Sequence, residues 1–69
     1  MDIIYHTAAV GIVMDKNGQQ RFYQEHTDDI SCLDTYENTV ATGQLGPNPL
    51  ICIWDAVTMN TKVVFKGIL

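Results

Sequence analysis

Seven short runs of β-branched and aromatic residues, separated by turn-forming residues at nearly regular intervals, constrain the fold more than any other feature of the chain. The runs are Ile3–Thr7, Val10–Met14, Gln20–Tyr23, Ile30–Leu33, Thr39–Thr42, Leu50–Trp54 and Thr61–Lys66, each near the ~5 residues of an ordinary strand. Val, Ile, Thr, Tyr, Phe and Trp make up 26 of the 69 residues, which favours pleated, half-buried surfaces. No window sustains the apolar stripe of a helix, with its period of about 3.6 residues. The expectation is an all-β chain, an antiparallel meander without crossover helices.

The turns between the runs support this. Asp15-Lys16-Asn17-Gly18 places an Asn-Gly pair between two strands, and Asn-Gly accepts positive φ at both central positions of a type I′ hairpin. Gly43-Gln44-Leu45-Gly46-Pro47-Asn48-Pro49 carries two prolines that donate nothing to a ladder, so it is expected to be a loop. Asp34–Asn38 and Asp55–Asn60 are shorter polar breaks.

A chain of 69 residues buries only ~60% of its unfolded surface, so hydrophobic burial and ordering entropy come close to balance. Additional packing, a disulfide, a metal or a partner is expected to supply the difference. Four Lys and Arg against eight Asp and Glu give a net charge of −4, which provides no counterion-releasing face for nucleic acid. No apolar run approaches the ~20 residues of a membrane-spanning helix, and the first residues carry no basic, apolar leader. A soluble, cytosolic setting is expected, with Cys32 and Cys52 as reduced core thiols rather than a disulfide.

The chain also repeats itself. Val13-Met14-Asp15 lies over Ile53-Trp54-Asp55 at an offset of 40, and Phe22-Tyr23-Gln24-Glu25 over Val64-Phe65-Lys66-Gly67 at an offset of 42. A period of about 40 to 45 residues, four strands to the unit, is the range of WD-type propeller blades. The second copy carries the more specific marks. His26-Thr27-Asp28-Asp29-Ile30, Val40-Ala41-Thr42-Gly43 and Ile51-Cys52-Ile53-Trp54-Asp55 follow in order, with His and Trp 28 positions apart.

That series resembles a WD repeat. More narrowly, Tyr5-His6-Thr7-Ala8-Ala9-Val10-Gly11, His26 to Ile30 and Ala41-Thr42-Gly43-Gln44 resemble the propeller region of echinoderm microtubule-associated protein-like proteins, from about Asp2 to Lys66. The resemblance implies a buried hydrogen-bonded set joining the loop before a blade to its strands, at His26, Thr42 and Trp54. It also implies a turn member at Asn48 and the closing acid of the motif at Asp55. Each polar atom in such a set costs ~1 to 3 kcal/mol if left unpaired, so the set is expected to fix strand register. Several positions depart from the pattern. Glu25 stands where the repeat has glycine, Asn48 where it has aspartate, Met14 where the first copy would have tryptophan, and Gly67-Ile68 where a third would open with Gly-His.

Other chemistry is weakly supported. His6, His26, Cys32 and Cys52 lack the close ligand pairs of structural zinc sites, the nearest two being six positions apart. Asp28 and Asp29, beside Glu25 and Asp34, point to opposite sides of an extended segment, a poor geometry for sharing an ion. No phosphate loop or nucleophile elbow is present. No catalytic, cofactor-binding or metal residue is assigned and no cofactor is expected. Trp54 is expected to have an intramolecular partner, and Phe22-Tyr23 and Val63-Val64-Phe65 to be apolar on both sides unless covered.

The expected architecture is about one and a half antiparallel, four-stranded blades and not a closed ring. Residues 1–26 supply the last three strands of an atypical blade and residues 27–69 one nearly complete WD-type blade. Repeat units bury their faces against neighbours and generally need about three or more units, so further blades from other polypeptide are expected to complete the ring. The resemblance implies a non-catalytic protein-interaction scaffold. Its implied partners are tubulin or other microtubule proteins, in the cytoplasm and cytoskeleton, including the ciliary axoneme, with neither nucleic acid nor membrane as partner. The alternatives are an adaptor propeller in another complex and a small thiol- or metal-binding protein.

Overall fold

A computed structural model describes residues 2–67; Met1, Ile68 and Leu69, and with them the Ile68 of the last departure, lie outside the described residues. The chain forms β1 (Ile3–Thr7), β2 (Val10–Met14), β3 (Gln20–Tyr23), β4 (Ile30–Tyr36), β5 (Thr39–Gln44), β6 (Leu50–Asp55) and β7 (Thr61–Lys66). They make two antiparallel meanders, a three-stranded sheet β1-β2-β3 and a four-stranded sheet β4-β5-β6-β7. Among the described residues there is no helix and no closed ring. This is the architecture of partial propeller blades.

Three strands outrun their sequence signals. β4 continues through Asp34, Thr35 and Tyr36, so the break there shrinks to Glu37-Asn38, with Tyr36 opposite Thr39. β5 takes in Gly43 and Gln44, which pair with Ile51 and Leu50, so the loop begins only at Leu45. β6 gains Asp55 opposite Thr39. Pairing carried these residues into the ladder, on both sides for Gly43 and Gln44 and on the β5 side alone for Asp34–Tyr36 and Asp55, a tertiary effect that propensity does not contain.

The β2–β3 hairpin differs in type from the expected I′ turn. Gly18 has φ +82°, but Asn17 is not in the positive region. The Gly18 N–H donates to the Asp15 carbonyl at 3.0 Å and the Asp15 N–H to the Gln19 carbonyl at 2.9 Å. A type I turn followed by a left-handed glycine, the three-residue hairpin, satisfies all of this. The Asp15 carboxylate selects it by accepting the N–H groups of Asn17 at 2.9 Å and Gln19 at 3.0 Å. Asp55, at the equivalent repeat position, accepts those of Val57 at 2.7 Å and Thr58 at 3.0 Å.

The core lies between the two sheets rather than within either. Val13 and Tyr23 from the first sheet meet Val40, Cys52 and Trp54 from the second, with Ala56 from the turn after β6. The Tyr23 and Trp54 rings stack with centroids 4.3 Å apart and planes at 2°. Gly11 makes that stacking possible, because a Cβ there would sit 2.9 Å from Trp54 Cζ2. Polar ties reinforce the junction. Arg21 Nη2 donates to the Ala56 carbonyl at 2.8 Å, the Ile30 N–H to the Ala8 carbonyl at 2.8 Å, and the Tyr23 and Thr61 hydroxyls are hydrogen-bonded.

Candidate functional site

The most developed polar constellation sits at the start of the four-stranded sheet, on the face turned to the first sheet. Alternation along β5 points Val40, Thr42 and Gln44 the same way, and all three are buried. Trp54 on β6 lies opposite Val40, and Cys52 opposite Thr42. The segment between β3 and β4 brings His26 over them.

A continuous chain of hydrogen bonds results. Trp54 Nε1–H donates to Thr42 Oγ1 at 3.0 Å, and Thr42 Oγ1 lies 2.7 Å from His26 Nε2. His26 Nδ1 lies 2.7 Å from Gln44 Oε1, which also accepts the Thr27 N–H at 3.0 Å. The Gln44 amide donates to Thr27 Oγ1 at 3.0 Å and to the Asn48 carbonyl at 2.9 Å. Because Gln44 Oε1 only accepts, the His26 ring proton belongs on Nδ1 and the Thr42 hydroxyl donates to Nε2. Each of these buried groups then has a partner.

His26, Thr42 and Trp54 are therefore brought together. Asn48 meets the set through its main-chain carbonyl, not its side chain, and the acceptor facing His26 is Gln44, a residue absent from the sequence expectation. The signal for it was the alternation Val40, Thr42, Gln44, hidden by reading Gly43 onward as loop. Asp55 stands apart, its carboxylate held below the usual carboxylate range by the Thr58 and Val57 N–H groups.

The two thiols lie on opposite faces. Cys52 is buried against the first sheet, where burial raises its thiol above the ordinary range. Cys32, expected in the core, is exposed; it sits over Gly43, where a Cβ would come within 2.7 Å of its Sγ. The bulge between Ile30 and Cys32 accompanies this outward placement. Among the described residues no three His, Cys, Asp or Glu side chains gather closely enough to hold a metal ion. The Asp28 carboxylate accepts the Asp29 N–H at 2.8 Å, so that acidic pair is used locally.

Tyr23 carries the most displaced ionisation. Burial pushes its phenol up from 10.0 to about 12, against the hydrogen bond from Thr61, which acts the other way. The raised value means that the folded state prefers the neutral phenol. Its contribution to stability is complete below pH ~10 and is lost as pH rises towards about 12. Alkaline titration followed by phenolate absorbance should show one tyrosine ionising only near that upper limit. Tyr23→Phe should remove this late step and flatten the stability difference from the parent across the same interval.

A four-stranded antiparallel sheet keyed by a buried Trp–Thr–His chain, with the next sheet stacked on its tryptophan, defines a WD-type β-propeller segment. The chain is a WD-repeat segment that resembles the echinoderm microtubule-associated protein-like family. It is 35% identical over 71 aligned residues to echinoderm microtubule-associated protein-like 1 of Mus musculus and of Homo sapiens, covering 87% of this chain and 9% of those proteins. It is 31% identical to the ciliary WD repeat-containing protein ctxp80 of Euplotoides octocarinatus over 94% of this chain and 12% of that protein. WD repeat-containing protein 90 of Mus musculus is 32% identical over 94% of this chain and 4% of its own length. The chain thus spans about a tenth or less of the relatives it matches. No protein-family model and no solved structure matches it.

Proposed function

We propose that the chain is a non-catalytic scaffold element of a microtubule-associated WD-repeat propeller, working in the cytoskeleton and in cilia. The observation that carries this is the likeness, over most of the chain, to proteins named for microtubules and for cilia. The geometry supports the scaffold half of the reading. His26, Thr42, Gln44 and Trp54 spend their hydrogen bonds on one another, leaving no free acid, base or nucleophile in that set. Their role in this reading is to hold strand register, with Asp55 closing the turn after β6, while surfaces of the completed propeller meet protein partners. Residues 27–69 act as one blade and residues 1–26 as the outer strands of its neighbour.

Microtubule co-sedimentation of the protein tests this. Saturable pelleting with polymerised tubulin is expected. With a net charge of −4 the segment supplies no basic patch, so its share of the contact should change little as salt rises. Absence from the pellet at every salt concentration overturns the microtubule reading and leaves an adaptor role in another protein complex.

A further inference from the structure

The two sheets pack on each other through β2, β3, β5 and β6, but β7 outruns the strand that faces it. Tyr23, the last residue of β3, is hydrogen-bonded to Thr61, the first residue of β7. β7 then runs on to Lys66, whereas the first sheet ends and the chain turns inward through Glu25 to set His26 on Thr42 and Gln44. Pairing puts Val64 opposite Cys52 and Lys66 opposite Leu50, so alternation turns both towards the first sheet. With no strand over it, Val64 is 41% exposed.

The result is a hollow of about 540 Å³, within the ~300–1,000 Å³ range of ligand pockets. Leu50, Cys52 and Val64 give it an apolar floor, Pro47 lines one side, and the exposed Glu25 and Lys66 bring an acid and a base to its rim. A neighbouring blade does not fill it. β3 and β4 are consecutive strands, so the sheets that bound the hollow are already adjacent, and further blades would stack on the outer faces instead. The rim charges are uncommitted: among the described residues the ion pairs are Arg21–Asp2 and Lys62–Asp55, and neither includes Glu25 or Lys66. The carboxylate is also particular to this junction, because Gly67 holds the place of Glu25 in the second copy.

We infer that this hollow holds an extended peptide segment that sets an apolar side chain on Leu50, Cys52 and Val64, a basic one against Glu25 and an acidic one against Lys66. An extended chain turns alternate side chains to one face, so residues at three alternate positions meet all three features at once. Opposite charges at the two rim positions fix the direction of the segment as well as its affinity. The inference is independent of the microtubule reading, because every group it uses lies between two sheets of this chain.

Calorimetry and NMR of the full chain test this with two blocked pentapeptides, Lys-Thr-Leu-Thr-Glu and the reversed Glu-Thr-Leu-Thr-Lys. The two share composition and net charge. One order should bind on the order of tenfold more tightly than the other, shifting the methyl signals of Leu50 and Val64. The double variant Glu25→Lys, Lys66→Glu keeps the net charge of the chain and should exchange that preference. Both positions are exposed, so the near-UV signal of the Tyr23–Trp54 stack should stay unchanged. Val64→Asp should abolish binding of both peptides by placing a charge on the floor. Three results overturn the inference: neither peptide binds, both bind equally, or the double variant keeps the preference of the parent. Free leucine that competes as well as the better peptide would assign the hollow to a small zwitterion and overturn the peptide reading.

Discussion

Replacing Trp54 by alanine is expected to cost about 3–5 kcal/mol of folding stability, the range for removing a fully buried aromatic side chain. The indole is at 0% exposure and serves two functions. Its ring stacks on Tyr23 at 4.3 Å, within the core that the two sheets share, and its N–H closes the hydrogen-bonded chain at Thr42. Trp54→Phe separates these functions. It keeps an aromatic surface for Tyr23 but removes the N–H together with the rest of the pyrrole ring, and Thr42 still has His26 as a partner, so a loss of about 1–3 kcal/mol is expected, smaller than that of Trp54→Ala. Urea unfolding followed by far-UV circular dichroism measures both. Equal losses from the two variants would show that the hydrogen bond, not the stack, ties the sheets together.

The same residue shows how far the sequence carried the fold. All seven strands were legible, because β-branched and aromatic runs are long enough to see and turn residues bracket them. What stayed hidden depended on partners. Asp34, Thr35 and Tyr36 belong to β4 because Ala41, Val40 and Thr39 pair with them, and nothing local in that polar stretch says so. The Asn17-Gly18 pair signalled a hairpin correctly, but the Asp15 carboxylate, accepting from Asn17 and Gln19, selected a three-residue loop over the type I′ form. At the site, His26, Thr42 and Trp54 came with the resemblance to a WD repeat. Gln44 could not, because glycine, glutamine and prolines close together read as loop, whereas pairing with Ile30 and Leu50 on either side holds Gln44 in a strand. Its side chain then faces inward by the same alternation that buries Thr42.

That placement sets up the second large effect. Gln44→Leu is expected to cost about 2–5 kcal/mol, since it keeps the volume and strips partners from His26 Nδ1 and the Thr27 N–H at once, each worth ~1–3 kcal/mol when buried and unpaired. Gln44 Oε1 is the shared acceptor for both, and its amide reaches Thr27 Oγ1 and the Asn48 carbonyl, so one side chain ties the connection before β4 to the loop before β6. Asn48→Ala is the matched control. Asn48 contributes a main-chain carbonyl, which alanine also has, so a change within ~0.5 kcal/mol is expected. Gln44→Glu discriminates further: it restores acceptors for His26 and Thr27 but loses the donor to Asn48 and buries a charge, so it should recover part of the loss at neutral pH and not all of it. Chemical denaturation of the three variants, with the His26 imidazole followed by NMR, reads the outcome. A large loss in Asn48→Ala with a small one in Gln44→Leu would place the fourth member of the set in the loop and return Gln44 to an incidental position.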